Sequence, residues 1–127
     1  MDKALSLTSS EVIYIISGSS IGVLLRLYII HKFKKFLGFN INSIALVNII
    51  SSFIVGFLIA LDIKNKNLLL LSFTGFLGCF STFSSYVYHL FVLVKERKYI
   101  DFLAHYLLVI VFSFLFFMLG YYLIELN

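Results

Sequence analysis

Four apolar stretches, at about 12–30, 41–61, 68–94 and 102–124, take up most of this chain of 127 residues, and only short polar connectors separate them. A bilayer core about 30 Å thick is crossed by about 20 apolar residues in a helix. Inside lipid every backbone N–H and C=O must be paired within the protein, so such a run crosses as an α-helix. Composition excludes an ordinary soluble domain: the chain is 61% hydrophobic and 13% charged, where soluble domains run at about 45–50% apolar and about 25% charged. The pattern predicts an all-α integral membrane protein, multi-pass in the cell membrane, with one four-helix domain over 1–127. Connectors this short also predict that sequential helices are antiparallel neighbours.

The formal charge of +4 reports on membrane topology rather than on nucleic acid. On one side, the N-terminus, second connector and C-terminus hold Lys3, Lys64 and Lys66; on the other, the first and third connectors hold Lys32, Lys34, Lys35, Lys95, Arg97 and Lys98. Basic loops stay inside, so both termini are expected outside. Met1-Asp2-Lys3 is barely basic and the apolar run continues past Ser17-Gly18-Ser19-Ser20, so the first stretch reads as a retained span, not a cleaved signal. Tryptophan is absent, which leaves the tyrosines to supply any interfacial belt. The lone Cys79 allows no intrachain disulfide.

The third stretch interrupts itself with Gly75-Phe76-Leu77-Gly78-Cys79-Phe80-Ser81-Thr82-Phe83-Ser84-Ser85-Tyr86. Glycine is poor in a helix interior, and Ser and Thr offer the backbone competing hydrogen bonds. The spacing predicts a helix broken near the membrane midplane. Broken backbone at that depth is tolerated only where it is buried in protein or lines a wet cavity, a common way to build an ion site.

Polar residues in the other spans each admit two readings. Gly18, Gly22 and Arg26 share one face of the first span. The glycines admit a neighbouring helix closely, and Arg26 either snorkels to the interface or is buried against a partner as an electrostatic element. Asn48, Ser52 and Gly56 repeat that stripe on the second span, with Ser51 beside it. They serve as interhelical glue, or Asn48 donates amide N–H groups to an anion. Phe83 and Tyr86 either face lipid or pack in the core, or present their positive ring edges to an anion path. Ser81, Thr82, Ser84 and Ser85 either bond back to their own helix or face that path. On the fourth span His105, Val109 and Ser113 fall on one line. Cys79, His89 and His105 lack metal-ligand spacing, and no carboxylate pair or nucleophile–base arrangement lies within the spans, so an enzyme is not expected.

These motifs, in order and over nearly the whole chain, resemble the Fluc-type (CrcB) fluoride channel family. Gly18-x-x-x-Gly22-x-x-x-Arg26 is similar to its first-helix signature. Val47-Asn48 with Ser51-Ser52-Phe53-x-x-Gly56 is similar to its second-helix pattern. Gly75-x-x-Gly78-x-x-Ser81-Thr82-Phe83-Ser84, the most specific, is similar to its third-helix signature. The resemblance implies a subunit of an antiparallel, inverted dimer that exports fluoride passively and so relieves its toxicity. It implies a structural sodium ion, not transported, held where the broken third helices cross by the backbone carbonyls of Gly78 and Ser81. It implies a fluoride pathway along Asn48, Phe83, Ser84, Tyr86 and Ser113, with Arg26, Gly18, Gly22, Gly56 and Gly75 as structural or electrostatic landmarks.

The sequence departs from the family pattern at Tyr86, usually Phe; at Ser81, usually Thr; at Ser43 and Ser51, usually small or Gly; and at His105 and Val109 on the polar track. An inverted homodimer needs subunits inserted both ways, whereas this loop charge is one-sided. Pairing with an oppositely oriented paralogue is therefore the alternative to self-pairing. Two other functions compete. A non-conducting, partner-dependent subunit would not need the polar cluster in the third span. A small multidrug/proton antiporter needs a carboxylate well inside the first span, and Glu11 sits at its edge.

Overall fold

The computed structural model describes residues 6–33 and 43–126. Lys3, Lys34, Lys35 and the first two positions of the expected second span lie outside the described residues. The described elements are α1 (Ser9–Phe33), α2 (Ser43–Ala60), α3 (Lys66–Leu69), a π-helical segment (Leu70–Leu77), α4 (Gly78–Phe80), α5 (Phe83–Lys95) and α6 (Tyr99–Glu125). All are helical; no strand occurs among the described residues. They form four spans long and apolar enough to cross a membrane, with 66–95 as the third. The first, third and fourth spans run a few residues past the apolar stretches, because the backbone ladder continues into interfacial polar residues, whereas α2 ends at Ala60, one residue short of its stretch.

The ends are capped by local chemistry. Thr8 N–H donates to Glu11 Oε2 at 3.0 Å, one half of a capping box. Glu11 Oε1 also pairs with Lys66 Nζ at 2.6 Å, which ties the start of the third span to the start of the first. Asn65 Oδ1 accepts from the N–H groups of Asn67 and Leu68. After α5, Arg97 adopts φ 59 and Lys98 N–H reaches back to Leu93 O at 2.9 Å, a Schellman closure. Lys66→Ala is expected to lower stability by under about 1 kcal/mol, because its ammonium is well exposed. Glu11→Ala, which also removes the cap, should cost about 1 kcal/mol more. Denaturation midpoints in detergent check both.

Packing follows the glycine stripes rather than chain order. Sequential helices do touch, but the broadest contacts join α1 to the π-helical segment and α2 to α6. A Cβ on Gly18 or Gly22 would collide with the carbonyl oxygens of Leu71 or Phe76, and one on Gly75 would lie 2.7 Å from Ile15 O. A Cβ on Gly56 would meet Phe117 O, and one on Gly120 would meet Phe53 O. With no hydrophobic drive between helices in lipid, such backbone-to-backbone approach is what selects partners. Two buried clusters result. Ile29, Val47 and Phe80 form one; Ala45, Tyr86, Leu90 and Val109 form the other.

The third span breaks within the expected stretch, at its hydroxyl residues and not at its glycines. Gly78 is right-handed helical (φ −59, ψ −31), and Gly75 lies inside the π-helical segment, so neither glycine is the break. The backbone turns extended at Ser81 (φ −72, ψ 155) and Thr82 (φ −146, ψ 98). The wider π ladder precedes it, with Gly78 N–H facing the carbonyl of Phe73, five residues back. π-helical turns are rare and often stand at functional sites.

Candidate functional site

The break is held by a side chain from another helix. Thr82 N–H donates to Asn48 Oδ1 at 2.9 Å, and Asn48 Nδ2–H donates to Thr82 O at 3.2 Å. The Asn48 carboxamide thus pairs both backbone groups of one extended residue, as a neighbouring strand would. Thr82 also caps α5: its Oγ1 accepts from Ser85 N–H at 3.4 Å and donates to Ser85 Oγ at 2.9 Å. Asn48 is therefore glue of an unexpected kind, bonded to backbone instead of to a second side chain.

These bonds have a consequence for the carbonyls beneath. In an unbroken α-helix the Thr82 and Ser85 N–H groups would serve the carbonyls four residues earlier, those of Gly78 and Ser81. Here Asn48 takes the first and Thr82 Oγ1 the second. Two carbonyl oxygens lose their helical donors halfway along the third span. Hard oxygen donors of this kind suit a small cation, as at the unwound helices of transporters. Gly78 is exposed in the single chain, so a second chain can reach it. Among the described residues no group of three His, Cys, Asp or Glu could hold a metal.

Beside the break runs a groove of about 590 Å³, lined by Asn48, Ser51, Ser52, Val55, Ser81, Phe83, Tyr86, Val109, Ser113, Phe114 and Phe117. It carries no charged side chain. Phe83 is 78% exposed, while Tyr86, one turn on, is 7% exposed. The Tyr86 hydroxyl is buried with no hydrogen-bond partner, a state that costs about 1–3 kcal/mol unless an acceptor arrives. Asn48 keeps a second N–H beyond the bond to Thr82. Ser51 and Ser52 are spent on Val47 O and Asn48 O, and Ser81 on Leu77 O, as back-bonding hydroxyls do. The groove therefore presents a few neutral donors and an aromatic ring to a small acceptor.

The structure brings Asn48, Ser81, Phe83, Tyr86 and Ser113 together around this groove. Ser84 is exposed on α5 outside the lining, and Arg26 is half-buried on α1, away from it. Gly18, Gly22, Gly56 and Gly75 sit at helix crossings. Sequence reasoning missed two residues. Thr82 was read only as a hydroxyl near its own helix and not as the residue that Asn48 holds, and Gly120, the fourth span's sole glycine, was not singled out. Its isolation in an otherwise bulky helix was the available signal.

Four helices long and apolar enough to span a membrane, with an uncharged groove beside the broken third span, define a multi-pass membrane protein. Residues 13–121 match the CrcB-like protein family, Camphor Resistance (CrcB), and the chain belongs to that family. It is 50% identical over 111 residues, covering 87% of this chain and 91% of the relative, to the "Fluoride-specific ion channel FluC 2" of Prochlorococcus marinus strain MIT 9312. The "Fluoride-specific ion channel FluC" of Campylobacter jejuni subsp. jejuni strain 81116 is 41% identical, over 67% of this chain and 73% of that one. The protein of the same name from Pyrococcus furiosus is 33% identical, over 71% and 76%. These relatives are named as ion channels, and this chain, as a member of a non-enzymatic family, is not an enzyme.

Proposed function

We propose that this chain forms a passive fluoride channel across the cell membrane, exporting fluoride to relieve its toxicity, as one subunit of an inverted dimer. The carrying observation is the convergence of Asn48, Phe83, Tyr86 and Ser113 on one uncharged groove. Fluoride is small, strongly hydrated and a strong acceptor. Its water must be replaced by fixed donors that still release it. The free N–H of Asn48, the buried Tyr86 hydroxyl and the Ser113 hydroxyl supply donors, and the Phe83 ring edge supplies a weak positive surface. The lack of lysine or arginine in the lining keeps the anion from being trapped. Ser84, outside the single-chain lining, joins the path only through what a second subunit places against it.

The Gly78 and Ser81 carbonyls would hold a structural sodium ion where two chains meet, since one chain offers too few oxygens. When bound, that ion supplies fixed positive charge without a titratable group.

Fluoride efflux from liposomes, with chloride as control, tests the reading. Wild-type protein should empty the vesicles of fluoride and leave chloride inside. Phe83→Ile should slow efflux about five- to tenfold, the value of an aromatic contact of about 1 kcal/mol. Liposomes that hold their fluoride while dimers are present would sink the channel, and normal efflux by Phe83→Ile would remove the aromatic role.

A partner-dependent subunit is the second reading. The one-sided loop charge favours it, as does the numeral in the name of the relative at 50% identity. A stable, conducting dimer from this chain expressed alone would remove it.

A further inference from the structure

Beyond the groove the same seam holds a pair of histidines. His89 and His105 meet edge to face, with ring centroids 4.8 Å apart and planes at 67°. Tyr86 lies against His105 at 5.9 Å. His89 comes one turn after Tyr86 on α5, and His105 one turn before Val109 on α6; Tyr86 and Val109 line the groove. The pair thus continues the groove toward the connector with Lys95, Arg97 and Lys98. His105 is only 5% exposed. We infer that His89 and His105 form a second anion site, at the α5–α6 end of the groove, which takes up a small anion as the pair gains a proton and so raises flux as pH falls.

The inference rests on the channel reading above. Neutral imidazole donates one N–H and the cation two, and imidazole is the side chain whose ordinary titration lies nearest neutrality. One protonated ring can set its positive edge against the other ring. A second proton is opposed by the first at this distance, so the pair takes one proton and one anion answers it. The titratable groups on the elements packed against the pair are few. On α5 they are Tyr86 and, six residues on, Lys95; on α6 they are Tyr106 and, one turn before His105, Asp101. On α2, Ile44 and Ala45 pack against this seam, and the helix contains no titratable side chain.

Two measurements test the site. The first is fluoride efflux at about pH 8 and about pH 5.5, bracketing imidazole titration, with protein-free vesicles subtracting passage of the neutral acid. Wild-type and His31→Gln proteins should conduct several-fold faster at the acid end, whereas His89→Gln and His105→Gln should show a flat profile. A flat wild-type profile, or an unchanged rise in both variants, overturns the inference while leaving the channel reading intact. The second needs no conduction: ¹⁵N-imidazole spectra of the detergent-solubilised protein, titrated with sodium fluoride or sodium chloride. Fluoride should raise the midpoint of the pair by about one unit, equivalent to tenfold tighter binding by the protonated form. An equal response to chloride would assign the site to halides at large and overturn its link to fluoride flux. No response to either anion overturns the site.

Discussion

Gly120→Ala is expected to abolish the folded protein. The added methyl would run into Phe53 O, and the Phe57 amide nitrogen is 3.0 Å away. Both belong to the backbone of α2, so no rotamer change relieves the clash and the helices must separate along their longest contact. Overpacking of this kind costs about 1–3 kcal/mol where side chains can yield, and here they cannot. Gly56→Ala should fail in the same way, since its methyl meets Phe117 O from the other side. Loss of a monodisperse peak in detergent, together with a lowered helical melting transition, checks both. Gly78→Ala is the informative control. Its Cβ would have only Phe73 O near, at 3.8 Å, and alanine is the better helix former by up to about 1 kcal/mol. The single-chain fold should survive, so a Gly78→Ala defect in flux or assembly would come from a second chain at the break.

Asn48→Leu should reduce fluoride efflux to the protein-free background. The substitution removes both bonds to Thr82, leaving a part-buried N–H and C=O of an extended segment without their partner. Each such orphan costs about 1–3 kcal/mol, so the break must repack or close. Asn48→Asp separates holding the break from donating to the anion. A carboxylate can still accept from Thr82 N–H but cannot donate to Thr82 O or to fluoride, and it adds negative charge to the groove. It should retain more thermal stability than Asn48→Leu while conducting no better. If Asn48→Leu folds and conducts at the wild-type rate, the side chain is neither splice nor donor.

The four spans were legible because length and hydropathy alone set them. The stripe of Gly18 and Gly22 was legible as a close-packing face. Which helix it would meet was not, since periodicity tells which face is small and not what lies opposite. The glycines of the third span misled about backbone shape. They relieve crowding between helices, as Gly75 does against Ile15, and the real break falls on Ser81 and Thr82, whose hydroxyls can satisfy a frayed ladder. The partner of Asn48 lies 34 residues away, beyond any local pattern. The π-helical stretch Leu70–Leu77 had no signal in the sequence, because apolar content is blind to whether a carbonyl is served from four or five residues on.

The pairing of first span with third, and second with fourth, also bears on how the chain is made. A nascent polypeptide releases its helices into lipid in the order of synthesis. The first span therefore waits for the third, and the second for the fourth, before either can cover its glycines. Until then Asn48 sits in the bilayer without Thr82. The last helix to emerge closes the assembly, so a truncation within α6 should leave the second span without its main partner and mark the chain for quality-control proteolysis.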